Sequence, residues 1–79
     1  MKHYTGQQTF AFNKMQDFRA LIPDPGVSVA VEFWNGGQFV ADNNSPVTSP
    51  EDIGCLGAVV RLTPDPISGG FGFDSETGL

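Results

Sequence analysis

VSVAVEFWNGGQFV, residues 27–40, is an alternating apolar run interrupted by Asn35 and two glycines. Alternation with a period of two is the pattern of a half-buried strand, and Asn-Gly is a strong signal for a β-hairpin turn. One face of the first strand carries valines and Phe33, and the other face carries Glu32 and Trp34. The stretch therefore predicts a β-hairpin within a β-rich fold, and it indicates no chemistry.

The length of the hairpin loop decides which residues lie opposite one another. A two-residue loop would place Phe33 opposite Gln38. A three-residue loop, with Gly37 as a left-handed bulge, would place Phe33 opposite Phe39. Only the second register keeps the apolar face continuous, because a slip of one residue turns every side chain to the other face. We therefore predict the three-residue loop, with Trp34 on the opposite face, near Gln38 and Val40.

Composition limits both the fold class and the kinds of partner. Seventy-nine residues make one small domain, and ten Gly with six Pro oppose long helices. Four Lys and Arg against nine Asp and Glu give a formal net charge of -5. Because the few cations are scattered, we predict no nucleic-acid partner. No apolar run is long enough to cross a bilayer or to form a signal peptide, which predicts synthesis in the cytoplasm and no membrane partner.

Shorter patterns place the remaining elements. Residues 18–22 fit a strand or, together with Met15, a helical turn, and Pro23 would end either one. The strand is favoured because a helix confined between Asn13 and Pro23 would be marginal. Ser49 followed by Pro50 and two acids predicts one helical or 3₁₀ turn. Three further segments have the composition of strands or edge strands: 8–12, 46–48 and 58–63.

These elements predict an all-β domain, a small antiparallel β-sandwich or barrel of about six short strands. We expect residues 8–73 to form this domain. Residues 1–7 are expected to be a flexible N-terminal arm, and residues 74–79 an acidic C-terminal tail. Within the domain, RALIPDP at 19–25 echoes RLTPDP at 61–66. The echo either marks equivalent strand ends in a two-sheet structure or arises by chance.

No group of residues has the pattern of a catalytic or metal site. A Cys–His nucleophile would need Cys55 to meet His3, which lies in the predicted arm. The more common role of a lone cysteine is that of a small buried apolar residue. The polar run that begins at Asp42 is interpreted as a turn, and the glycines within 69–72 as serving a tight turn and close strand approach. We therefore predict no catalytic, cofactor or metal-binding residue and no enzyme activity.

Trp34 has three interpretations, which the sequence leaves open. It could cover the second face of a small sandwich, or anchor a protein interface, as large aromatic residues often do. Alternatively, with Glu32 and Gln38 nearby, it could form an aromatic platform for a sugar ring.

The order of motifs resembles that of a family of small virion proteins. An aromatic-Arg strand (18–21) and a proline turn precede VSVAVEFWNGG (27–37). An SPVT segment (45–48) then precedes VRLTP (60–64). This order is similar to that in the head decoration and tail-associated β-modules of tailed bacteriophages, over residues 18–64. The polar N-terminal segment and the FGFD stretch lie outside the resemblance.

The resemblance implies a non-enzymatic structural subunit of a virion, made in the host cytoplasm. It implies a homo-oligomer, a trimer or other ring, that docks on a capsid or tail protein and needs no cofactor. An alternative is a small carbohydrate- or host-surface-binding β-module that uses the Trp34 loop, with a glycan as partner. Five aromatic residues in the hairpin and the terminal segments are expected to make the partner contacts: Trp34, Phe39, Tyr4, Phe71 and Phe73.

Overall fold

The computed structural model of the protein describes residues 1–12, 18–55 and 59–75. Within these ranges no helix is long and apolar enough to cross a membrane. The described residues form short strands that pair only in antiparallel fashion. In chain order they are β1 (Lys2–Thr5), β2 (Gln8–Ala11), β3 (Phe18–Pro23), β4 (Ser28–Trp34), β5 (Phe39–Ala41), β6 (Glu51–Gly54), β7 (Val59–Asp65) and β8 (Gly70–Phe73).

The strands form two four-stranded sheets that pack against each other. Sheet 1 has the order β1-β8-β3-β6, and sheet 2 has the order β2-β7-β4-β5. Apart from the β4–β5 hairpin, each connection passes from one sheet to the other. This strand order is that of a jelly roll, an antiparallel sandwich built from two Greek keys. The predicted all-β sandwich is therefore confirmed, with eight strands instead of about six.

Inward-facing side chains from both sheets form one core. Sheet 1 contributes Leu21, Phe71 and Phe73, which are completely buried. Sheet 2 contributes the valines and Leu62 that alternate along β4 and β7. The alternation predicted for β4 is confirmed, because its valines are buried while Trp34 is 45% exposed. The inner faces of both sheets therefore contribute to a single hydrophobic core between them.

The predicted hairpin is present, but its register differs from both predicted registers. Trp34 lies opposite Phe39, and Phe33 lies opposite Val40. Val40 takes the place expected for Phe39 opposite Phe33, so the inner face remains apolar, although Val40 is 45% exposed because β5 is an edge strand. Phe39 therefore shares the outer face with Trp34, and the prediction that Trp34 lies near Gln38 and Val40 on that face is wrong.

The Asn35 side chain sets this register. Its Oδ1 accepts hydrogen bonds from the backbone N–H groups of Gly37 and Gln38, both at 2.9 Å. The backbone N–H of Asn35 also donates to the carbonyl oxygen of Gln38 at 3.0 Å. The chain therefore reverses over two glycines, with a positive φ of 100° at Gly36 rather than at Gly37. The predicted bulge at Gly37 is wrong because an Asx-type turn takes its place.

Two edge strands of sheet 1 were not predicted. Residues 2–5 of the expected arm form β1, which pairs with β8. Residues 51–54 follow the pattern of a helix start, yet they form β6, which pairs with β3. Pairing with a neighbouring strand satisfies the backbone groups that a single isolated helical turn would leave unpaired. Sheet 1 therefore includes residues 2–5 of the expected arm, and the predicted helical or 3₁₀ turn at 49–52 is wrong.

The other predicted elements agree with the structure where it describes them. β2, β3 and β7 confirm the strands expected over 8–12, 18–22 and 58–63. The edge segment forms a single antiparallel bridge between Val47 and Val29, with both N–H···O distances at 2.8 Å. Met15, which belongs to the helical alternative, and residues 76–79 of the tail lie outside the described residues.

Candidate functional site

The aromatic residues predicted to bind a partner lie in different environments. Trp34 and Phe39 lie side by side on the outer face of sheet 2. Phe71 and Phe73, in contrast, have no exposed surface and belong to the core. The expectation that they contact a partner is corrected accordingly: β8 is an inner strand of sheet 1, and its phenylalanines point between the sheets. They stabilise the fold.

Tyr4 is partly buried, so its exposure lies between that of the outer-face pair and that of the core phenylalanines. Its ring contacts Phe10 edge-to-face, with ring centres 5.1 Å apart, and stacks on Phe71 at 5.9 Å. Its hydroxyl hydrogen-bonds to the hydroxyl of Ser75. Tyr4 thereby connects β1 and the end of the chain to the core, and only part of its side chain can face a partner.

A compact group of side chains stands on the outer face of sheet 2, and we call it the Trp34 cluster: Glu32, Trp34, Phe39 and Arg61. The rings of Trp34 and Phe39 meet at 63° with their centres 5.1 Å apart. The guanidinium carbon of Arg61 lies 4.0 Å from the centre of the Phe39 ring. Arg61 Nε donates a hydrogen bond to Glu32 Oε1 at 3.0 Å. Three strands, β4, β5 and β7, hold the cluster together.

Part of the hydrogen-bonding capacity of the cluster is not used within the protein. Among the described residues, no hydrogen bond engages the two Nη groups of Arg61 or Oε2 of Glu32. Both side chains remain partly exposed, and Trp34 stands beside them. The cluster therefore combines an accessible aromatic surface with donors and an acceptor whose positions are fixed.

A second surface, which we call the Phe18 face, lies on the outer side of sheet 1 and consists of Phe18, Ala20, Ile22 and the glycines beside them. Phe18 is 73% exposed and Ile22 is 40% exposed. The Phe18 ring lies over Gly54, and Ile22 lies opposite Gly72. The side chain of Met1, which is 58% exposed, lies over Gly72 next to Ile22, so the face is apolar.

The same strand turns its charged residue inward. Arg19 lies between the outward-facing residues of β3 and is buried. Its guanidinium carbon lies 3.8 Å from the centre of the Phe12 ring, and Nη1 donates to the carbonyl oxygen of Asp74 at 2.8 Å. The usual arrangement of a sheet, polar outside and apolar inside, is therefore reversed at this position of β3.

The residues considered for catalysis do not come together. His3 lies in β1, where Nε2 is 2.8 Å from Asp24 Oδ2. Cys55 follows β6, at the opposite edge of sheet 1, so the two cannot form a nucleophilic pair. The interpretation of Cys55 as a small buried residue is confirmed.

The described part of the chain contains no group of three or more His, Cys, Asp or Glu side chains arranged to hold a metal ion. The polar run that begins at Asp42 forms the predicted turn, in which Asp42 Oδ2 accepts a hydrogen bond from the backbone N–H of Asn44 at 3.1 Å. The glycines at the start of β8 also allow the predicted tight turn and close approach. A Cβ on Gly69, in the turn before β8, would lie 2.9 Å from the carbonyl oxygen of Pro66, and one on Gly70, the first residue of β8, would lie 2.5 Å from the Asp24 carboxylate.

The Cys55 thiol is expected to react with a thiol reagent at least about a hundredfold more slowly in the native protein than in denaturant, because a buried thiol reacts only when the structure opens. The rate of chromophore release from an aromatic disulfide reagent measures this, and a Cys55→Ser variant provides the blank. Equal rates in the two conditions would contradict the burial and reopen the possibility of a reactive cysteine.

Comparison with known protein families, with curated proteins and with solved structures finds no match for this chain. The Trp34 cluster and the Phe18 face are therefore the features on which a function can be based.

Proposed function

We propose that this chain is a non-enzymatic structural subunit of a virion, which decorates a capsid or forms part of a tail. It acts by self-association, as a trimer or other ring, and by docking on a larger assembly. The observation that carries this proposal is the outer side of β3, where Phe18, Ala20 and Ile22 face solvent. We assign this face to a neighbouring copy of the chain.

The energetics of the Phe18 face favour such a contact. Covering the exposed parts of Phe18 and Ile22 would contribute about 2–3 kcal/mol per copy. The ionisable groups on or beside this outer face are few among the described residues: Asp52, the His3–Asp24 pair and the α-amino group of Met1, whose side chain lies over Gly72. Although the chain carries a net charge of -5, little of that charge would be brought together at the contact. A small domain also gains stability when association adds to its limited core.

The fold is compatible with this role. Jelly rolls of eight strands are common in viral capsid proteins, and they also occur in lectins and cupins. Because one fold carries many functions, this is support by analogy. The order of sequence motifs, which resembles that of phage head and tail modules, points in the same direction.

Light scattering coupled to size exclusion is expected to give the mass of a trimer or other closed oligomer. A Phe18→Ser/Ile22→Ser variant should give the monomer mass with an unchanged far-ultraviolet circular dichroism spectrum, because the two substitutions remove only apolar surface at the contact between subunits. Ile67→Ser is the matched control: this isoleucine is 62% exposed but lies in a turn away from the Phe18 face. A wild-type monomer even at millimolar concentration, or a double variant that keeps the oligomer mass, would overturn the proposal.

A second candidate is a carbohydrate- or host-surface-binding module, and the Trp34 cluster is the observation that favours it. Trp34 is exposed beside Phe39, and unused hydrogen-bonding groups of Glu32 and Arg61 are next to it. The two candidate functions predict different results for variants of the two surfaces. Under the second, Trp34→Ala abolishes glycan binding and leaves the oligomeric state and the fold intact.

A further inference from the structure

We propose that the Trp34 cluster binds an uncharged hexose residue of a glycan, which stacks on Trp34 and hydrogen-bonds to Glu32 and Arg61. This inference rests on the second candidate function and names its ligand class and polar contacts. It does not depend on association through the Phe18 face, which lies on the other sheet. A subunit could therefore have both properties, one on each side of the sandwich.

Trp34 is the aromatic surface of the cluster that a ligand can reach. One face of the Phe39 ring is covered by the Arg61 guanidinium, at 4.0 Å from its centre. The edge-to-face contact with Phe39 also holds the Trp34 ring in position. The C–H groups of a sugar ring form an apolar face that packs on such an exposed aromatic ring. A held ring loses little conformational freedom when the ligand binds.

Glu32 and Arg61 offer complementary hydrogen-bonding groups next to this ring. The guanidinium is fixed by two contacts, one through Nε to Glu32 and one through its face to Phe39. The Nη groups of Arg61 can donate, and Oε2 of Glu32 can accept. A sugar hydroxyl both donates and accepts, so adjacent hydroxyls of one hexose can engage both side chains. The planar, oriented guanidinium makes this geometry specific.

The charge of the site favours a neutral ligand over an anion. The charges of Glu32 and Arg61 offset each other within the cluster, and the whole chain carries a net charge of -5. A uronic acid or a phosphate would compete with Glu32 for the guanidinium and would be repelled by the rest of the protein. A neutral hexose meets neither obstacle.

Intrinsic fluorescence can test the site directly, because Trp34 is the single tryptophan of the chain. The probes are methyl β-galactopyranoside, methyl β-glucopyranoside and neutral oligosaccharides of each, together with the corresponding uronic acids. We expect a saturable change in emission with a neutral sugar and affinity about tenfold weaker for its uronic acid. Calorimetry should show affinity at least about tenfold weaker for Trp34→Ala and for Arg61→Lys, which keeps the charge but loses the planar fork. Val40→Ser, in the same hairpin but on its inner side, should bind like the wild type.

Three results would overturn this inference. One is the absence of saturable binding by every neutral probe up to about 10 mM. Another is uronic acid binding as tight as that of the neutral sugar. A third is a Trp34→Ala variant with an altered oligomeric mass, which would make the cluster an interface between protein chains. Because the Phe18→Ser/Ile22→Ser variant tests association separately, failure of sugar binding and failure of the subunit role can be distinguished.

Discussion

Replacing Phe73 with alanine is expected to lower the free energy of unfolding by about 3–5 kcal/mol, a large part of the total for a small domain. Phe73 is completely buried, and its ring centre lies 5.1 Å from that of Phe10 and 6.1 Å from that of Phe12. Since these contacts connect β8 in sheet 1 with Phe10 of β2 in sheet 2 and with Phe12 just after β2, the variant would have a cavity between the sheets. Urea denaturation followed by circular dichroism measures the loss.

The matched control is Phe18→Ala, the same chemical change at an exposed site. Phe18 is 73% exposed, so this variant should lose no more than about 1 kcal/mol when both proteins are compared at a dilution at which the wild type is a monomer. Similar losses for the two variants would contradict the assignment of Phe73 to the core. They would also reopen the sequence-based expectation that Phe73 faces a partner.

The fold class could be predicted because the strongest pattern in the chain is local. Alternation along β4 requires its valines to share one face, and that face is buried. The register of the hairpin could not be predicted in the same way. Phe39 and Val40 are both apolar, so either residue keeps the inner face apolar when it points inward. The hydrogen bonds of the Asn35 side chain decide between them, and an apolar pattern contains no information about those bonds.

The edge strands β1 and β6 could not be predicted from the sequence for a different reason. An edge strand pairs on one side only, and three of the four residues of β1 and two of the four of β6 are exposed. Their alternation is therefore weak, and their conformation depends on β8 and β3, which are distant in the sequence. Such pairing is decided by tertiary structure, which overrides the local preference of the Ser-Pro-acid pattern for a helix.

The Trp34 cluster could be predicted only in part. Glu32 and Trp34 alternate on one face of β4, and that much can be read from the sequence. Arg61 joins them because β7 pairs with β4 and places Arg61 opposite Glu32. The available signal was the position of Arg61 between the apolar residues of β7, which turns its side chain outward. Its neighbour on that face depends on the order of strands in the sheet.

The echo between 19–25 and 61–66 illustrates how spacing decides orientation. Pro23 and Pro64 are both buried. Arg19 stands four residues before its proline and therefore shares the inward face, whereas Arg61 stands three residues before its proline and faces outward. The two arginines consequently lie over phenylalanine rings in opposite environments, one in the core and one on the surface. The two copies are thus not equivalent in structure.

Arg19→Ala is therefore expected to destabilise the protein by about 2–4 kcal/mol, because it removes buried packing against Phe12 and the donor to the Asp74 carbonyl. Arg61→Ala, which removes a similar ring contact and a partly exposed ion pair, should cost about 1 kcal/mol or less. Arg19→Met should fall between them, since it keeps apolar volume under Phe12 but cannot donate. Urea denaturation of the three variants measures the differences. A loss from Arg61→Ala that equals that from Arg19→Ala would show that the inward orientation of Arg19 carries no special stability.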